Sequence, residues 1–334
     1  MKIIALSMLF SQILTPVNAS FNSPINLENP RVVPIFGQPE GITSSDAGWS
    51  GYLYSPRIVF SAAHSHYRFD NSGKRILSEP ALVTVGKPNS SALDQMGRVK
   101  VIKTFLADFK QNNYRQPLND FIVYVLERDL VPISKGNLLT AVIEKELVAV
   151  QSEVRLHGYG EFQDRCAPGE APPCKKDWSD PKMRTSEFPR SPTGIMKLVA
   201  PSYFPWMSSD QKTNLANETL VSDNLACSGD SGGPVTTIYK GTPYYLGVAL
   251  SGSNTRACGA GGVDDPTKAF GYFSPVYKHL DLIKAAEDFI EANPATTSKT
   301  TATTSKTTIT CSKGKSVKKI SGANPKCPKG FKRT

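Results

Sequence analysis

Gly229-Asp230-Ser231-Gly232-Gly233-Pro234 sets a serine on a glycine-rich turn, directly after a carboxylate. Such a turn can lift a hydroxyl into a cleft and aim backbone N–H groups at the same point. Acyl transfer needs that combination: a nucleophile beside a preorganised oxyanion site. Gly229 suits a position whose amide must face the cleft, because glycine adopts φ values closed to other residues. Taken alone, a glycine–serine turn also fits an ordinary structural turn. Two upstream residues supply what a serine nucleophile lacks. His64 follows Ser61-Ala62-Ala63 at the end of the apolar run Ile58-Val59-Phe60, which reads as a buried strand. A histidine just past a strand end, flanked by small residues, is placed to accept a hydroxyl proton. Asp120 opens the run Phe121-Ile122-Val123-Tyr124-Val125-Leu126, and a carboxylate at the mouth of such a strand can hold an imidazole in one tautomer.

The chain has four histidines. His66 is read as surface or loop, His157 as structural, and His279 as solvated on a terminal helix, because no partner residues accompany them. Six cysteines are present: Cys166 and Cys174 bracket a Pro/Gly-rich loop and are expected to pair, and Cys311 and Cys327 stand alone in the tail and are expected to pair. With no CxxC and no His/Cys cluster, no metal site and no cofactor is expected.

The elements that must position these residues read as short strands broken by turns. Candidates are 50–54, 58–62, 81–85, 98–104, 120–126, 147–156, 194–199, 234–239, 244–251 and 269–273. Many short strands suggest an all-β protein of antiparallel barrels. Val276, Leu280, Ile283, Ala286 and Ile290 keep helical spacing and predict a terminal helix. Residues 161–193 are polar and Pro-rich and read as a surface loop near the cleft.

Lys2, the apolar run Ile3–Leu14 and Val17-Asn18-Ala19 read as an export signal cleaved after Ala19. The run is too short for a membrane span, so no transmembrane segment is expected after its removal. Export implies a compartment where disulfides persist. The full chain carries 39 basic and 29 acidic residues, for a net charge of +10. Residues 295–334 hold ten of the basic residues and none of the acidic ones, so the rest of the chain is formally neutral. Ala295-Thr296-Thr297-Ser298-Lys299-Thr300-Thr301 repeats unchanged as 302–308 and cannot bury a core; residues 294–308 therefore read as a linker. Residues 309–334 form a basic module too small for a core of its own without a staple. Such a charge on a tether is expected to attract an anionic cell-surface polymer, and the alternative is a solvated tail. The chain has no recognition motif for specific nucleic-acid binding.

The glycine–serine string, Ala62-Ala63-His64, Asn119-Asp120 and Gly158-Tyr159-Gly160 together resemble the trypsin/chymotrypsin family of serine proteases over about residues 32–293. The resemblance implies two six-stranded antiparallel barrels with the site between them and a C-terminal helix. It implies that Ser231 is the nucleophile, His64 the general base and acid, Asp120 its orienting carboxylate, and the N–H groups of Gly229 and Ser231 the oxyanion hole. Protein or peptide would be the substrate. Leu225 and Ala226 would floor the S1 pocket and Gly252 and Gly271 would form its walls, favouring apolar side chains, with Asp223 just upstream as a competing floor residue. Cys227 would pair with Cys258. Asp230 would pair with an α-amino group freed by proteolysis, either before Val32, which makes 20–31 a propeptide, or before Ile35. The family's disulfide beside the catalytic histidine is missing, since Ser65 follows His64, so packing alone must hold that loop. The alternative to an active enzyme is an inactive binding module of the same fold, tethered by its tail.

Overall fold

The computed structural model describes residues 25–38, 47–69, 75–77, 82–92, 94, 96–108, 110–111, 117–160, 196–223, 230–252, 270–294, 307–314, 316–322 and 325–333. It separates into two compact units, Met1–Pro294 and Ala295–Thr334. In the first unit, β1 (Val32–Gln38), β2 (Ala47–Ser55), β3 (Ile58–Ser61), β4 (Leu82–Val85), β5 (Val99–Leu106) and β6 (Ile122–Leu126) close into an antiparallel barrel in the order β1-β2-β3-β6-β5-β4. The strands β7 (Glu153–Leu156), β8 (Met196–Val199), β9 (Leu220–Ser222), β10 (Pro234–Tyr239), β11 (Thr242–Gly252) and β12 (Gly271–Pro275) close a second barrel in the order β7-β8-β9-β12-β11-β10. The two orders are the same pattern. With the terminal helix this is the chymotrypsin-like, protease-like fold.

Burial explains why these segments are strands. Every residue of β3 and of β6 is buried, so both read as continuous apolar runs rather than as alternating ones. Their register sets Val123 opposite Phe60 and, on the other side, Phe105. The expected strand 147–156 is corrected. Only Glu153–Leu156 is extended, and Ala141–Ala149 forms a helix, α1, capped by the Thr140 side chain accepting from the Ile143 N–H. The apolar run Leu147-Val148-Ala149-Val150 is the end of that helix and the turn after it, with Leu147 alone fully buried. A second helix without a counterpart in the sequence reading, α2 (Ser209–Glu218), starts at a reciprocal cap between Ser208 and Gln211. The terminal helix is present: a 3₁₀ turn at Val276–His279 runs into α3 (Leu280–Ala292), with Val276, Ile283 and Ala286 buried. Among the described residues, no helix is long and apolar enough to cross a membrane.

The seam between the barrels is aromatic. Tyr52 of the first barrel stacks on Tyr245 of the second at 4.1 Å, and Phe60 bridges Tyr245 and Phe121 at 5.5 and 5.3 Å. α3 leaves the second barrel and returns to the first. Phe289 meets Phe105, Glu287 accepts from the Tyr54 hydroxyl at 3.2 Å, and the buried Arg57 guanidinium donates to the carbonyls of Leu126 and Asn293. One apolar cluster joins the second barrel, this helix and the facing side chains of the first barrel, and a separate one, with Ile35, Leu53, Val85 and Ile122 among its members, fills the first barrel.

The second unit is a sheet of three strands, β13 (Thr307–Lys313), β14 (Ser316–Gly322) and β15 (Lys332–Arg333), with β13 central. Cys311 is fully buried and bonded to Cys327, the pairing expected from the sequence, and among the described residues Ile309 is the other buried side chain. About 26 residues bury too little apolar surface to fold unaided, so the covalent link across 16 positions carries much of the stability. The export segment, the 161–193 loop, and Cys166, Cys174, Cys227 and Cys258 lie outside the described residues.

Candidate active site

Asp120 is fully buried, at a turn where β6 begins. The Phe121 N–H bonds back to the Asn119 carbonyl at 2.9 Å across Asp120, and Asn119 takes a φ of 52°, a left-handed value that asparagine tolerates better than most residues. The carboxylate receives two bonds from one residue: the His64 backbone N–H reaches Oδ1 at 2.7 Å, and His64 Nδ1 lies 2.6 Å from Oδ2. Nδ1 must donate here, because a carboxylate only accepts. This leaves Nε2 as the basic nitrogen of a neutral ring. His64 sits on the 3₁₀ turn Ala63–His66, with Ala62 and Ala63 fully buried beneath it and its own side chain 24% exposed.

Ser231 occupies the corner of a tight turn. The Gly233 N–H donates to the Asp230 carbonyl at 2.7 Å, and Gly232 has a φ of 81°. That places Ser231 at the second position of a β-turn whose third residue requires positive φ. The turn is seated on the first barrel. The Ser231 carbonyl accepts from Ser50 N–H at 3.1 Å, and a Cβ on Gly232 would lie 2.1 Å from Ser61 Oγ, 2.2 Å from the Ser50 carbonyl and 3.1 Å from Ala62 N. Only glycine fits there, and its contact is with the segment that leads into His64. Ser50 is a residue the sequence reading missed. Its Oγ accepts from Tyr159 N–H at 2.8 Å, and its carbonyl accepts from the Ser61 hydroxyl at 2.8 Å. No motif marks it, because its role appears only when the two barrels meet.

Asp230 is fully buried and accepts from Gly160 N–H at 3.2 Å. A Cβ on Gly158 or Gly160 would fall 2.3 or 2.4 Å from its Oδ1, so the Gly-Tyr-Gly string is a cradle for this carboxylate. Val32 and Ile35, the two candidate new termini, both lie within β1, paired to Tyr52 and Trp49, and are fully buried. Cleavage before either one would have to break that pairing to send an amino group elsewhere. Gly252 and Gly271 are cross-strand partners on β11 and β12. Leu225, Ala226 and Gly229 lie outside the described residues. Asp223 is half-buried and accepts from the Lys197 N–H at 2.7 Å; burial raises its carboxyl above the usual range. Among the described residues, no group of three or more His, Cys, Asp or Glu side chains is arranged to hold a metal ion.

Two histidine readings are corrected. His66 is not at the surface: it is buried on the same turn as His64, its Nε2 2.7 Å from the Tyr124 hydroxyl. His279 is not solvated: its ring stacks on Phe121 at 4.5 Å and its Nε2 lies 2.9 Å from Ser274 Oγ. Both were misread because their partners, Tyr124 and Phe121, are distant in sequence. His157 is buried behind the Gly-Tyr-Gly cradle, its N–H on the Pro234 carbonyl. Burial lowers all three rings from the ordinary 6.5 to about 4, with nearby Arg155 adding to the shift at His157 and Asp281 opposing it at His279.

No protein-family model matches this chain. A stretch of 124 residues, 35% of the chain, is 26% identical to the vitamin K-dependent protein C of Oryctolagus cuniculus. The match spans 25% of the length of that relative.

The three buried imidazoles set a pH dependence. They stay neutral in the folded chain down to about 4 but protonate near 6.5 once unfolded, so unfolding takes up protons between these values. Stability should be full above about pH 6.5 and fall as the pH drops toward 4. Urea midpoints measured across this range should decline well above the carboxylate region. A midpoint that stays level would show that these rings ionise freely in the folded chain.

Proposed function

We propose that this chain is a secreted serine endopeptidase that cleaves peptide bonds through an acyl-enzyme. The observation that carries the proposal is the fully buried Asp120 carboxylate bonded twice to His64, at a seam where the Ser231-Gly232 backbone rests against Ser50, Ser61 and Ala62. In this reading Ser231 Oγ attacks the scissile carbonyl while His64 Nε2 takes its proton. The tetrahedral oxyanion is held by the N–H groups of Gly229 and Ser231. His64 then protonates the leaving amine, the C–N bond breaks, and water, deprotonated by the same nitrogen, releases the acyl group and returns the proton to Ser231. Asp120 keeps the ring in the required tautomer and stabilises the imidazolium that forms. Protein or peptide is the substrate. The double-barrel fold and the distant similarity to protein C support the reading, and the candidate export signal supports action outside the cell.

The S1 pocket is proposed to be floored by Leu225 and Ala226, with Gly252 and Gly271 leaving its entrance open. A floor without a counter-charge disfavours a substrate Lys or Arg, which would lose its hydration without a partner. The basic unit at the C terminus is proposed to hold the enzyme on an anionic cell-surface polymer, while the neutral body performs catalysis.

Each part of the proposal has its own measurement. Ser231→Ala should fold normally and lose at least about 10⁴-fold in the hydrolysis of a protein substrate, with His64→Ala adding little to it, because such residues act as a unit. Undiminished hydrolysis by S231A would contradict the assignment. A peptide-library cleavage profile should be dominated by medium or large apolar side chains at P1, and dominant cleavage after Arg or Lys would rule out Leu225 as the floor. Removing residues 295–334 should leave peptide hydrolysis unchanged and abolish low-salt retention on an anionic matrix. Equal retention of both forms at every salt concentration would refute the attachment role.

A further inference from the structure

No cysteine precedes Cys166, so no disulfide to an upstream residue can hold the turn that carries His64. What lies against that turn is a cluster of three side chains. His66, two residues after His64, turns inward, and its Nε2 shares a 2.7 Å hydrogen bond with the Tyr124 hydroxyl. The two rings lie 5.6 Å apart, and Trp49 meets the His66 ring edge-on at 6.2 Å. Ser65, between the two histidines, donates to the Ala62 carbonyl at 2.6 Å and folds the turn back on its own start.

Each member of the cluster belongs to a segment that carries, or directly contacts, one residue of the proposed triad. His66 is on the His64 turn. Tyr124 is on β6, the strand that Asp120 precedes, where it pairs with Val59 and Thr104 in the middle of the barrel. Trp49 is on β2 beside Ser50, whose N–H holds the Ser231 carbonyl. The His66–Tyr124 bond is therefore a second tie between the His64 turn and the Asp120 strand, alongside the His64–Asp120 pair. Burial keeps the His66 ring neutral down to about 4, so the bond persists through the neutral range.

We infer that Trp49, His66 and Tyr124 form a positioning unit that holds His64 against Asp120. They are positioning residues rather than catalytic ones: they act through His64. The inference rests on the protease reading only for its kinetic consequence, since its geometric content concerns the His64–Asp120 pair alone. Misplacing a reacting group by a fraction of an ångström leaves substrate binding largely intact and slows the chemical step. Loss of the unit should therefore appear in kcat and not in KM.

The test uses Tyr124→Phe, which keeps the ring and removes only the hydroxyl, with His66→Leu and His66→Gln beside it. His66→Gln retains an amide group near the place of Nε2. The first readout is the proton NMR signal of the His64 Nδ1–H, shifted far downfield by its short bond to a carboxylate and identified by its loss in His64→Ala. Y124F and H66L should broaden or lose this signal while remaining folded by circular dichroism, and H66Q should retain it. The second readout is kcat per titrated active site, which should fall about tenfold in Y124F with KM changed by less than about twofold. If Y124F and H66L keep both the signal and kcat while only their thermal midpoints drop, the cluster is packing and the inference is wrong. If the wild type hydrolyses no peptide, the protease reading fails by itself. The NMR readout then decides: loss of the signal in Y124F upholds the positioning role and its retention overturns it.

Discussion

A carboxylate cut off from water must be answered by donors, and the known answer to Asp120 comes from a single residue. Taking an ionised carboxylate out of solvent costs several kcal/mol unless hydrogen bonds replace its hydration. His64 supplies two, one from its backbone and one from its ring. The pair fixes both the position of the turn and the rotation of the imidazole. Other features of the seam follow from this bond. The Asn119 backbone takes a left-handed φ so that Asp120 can face the turn, Ala62 and Ala63 are small so that the turn can approach, and Phe121 is clamped between Phe60 and the His279 ring.

The second barrel is joined to this pair by backbone contacts. Ser50 touches three segments at once, bonding the Ser231 carbonyl, the Tyr159 amide and the Ser61 hydroxyl. Gly232 admits the approach of Ser50 and Ser61, and the two glycines around Tyr159 admit Asp230, because any Cβ would collide. α3 then ties the two barrels from outside through Arg57, Tyr54 and Phe289. The seam is thus densely bonded where the candidate chemistry lies.

Much of this was legible in the sequence, and the misreadings have a common cause. The glycine–serine string, the Ala-Ala-His string and the apolar run after Asp120 are local patterns, and the described part of each lies at an element boundary. β3 and β6 were legible because strands buried on both sides are continuous in apolar residues. The run at Leu147 was misread for the same reason: a short apolar stretch does not by itself separate helix from strand, and the Thr140 cap was the signal to weigh. The Ser208–Gln211 capping box of α2 was present and unused. Burial of His66 and His279 was not marked by a local pattern: the hydroxyl that His66 meets is 58 residues away on β6, and although Ser274 lies five residues before His279, the Phe121 ring that covers it comes from the first barrel. The tail was legible because charge and cysteine count are compositional.

The account is tested most directly by reaction of the purified chain with a fluorophosphonate, followed by mass mapping of the adduct. It predicts one adduct per chain, on Ser231, forming at least about 100-fold more slowly in His64→Ala, because the hydroxyl is activated only through that ring. An adduct on another serine, no adduct at all, or an undiminished rate without His64 would contradict it.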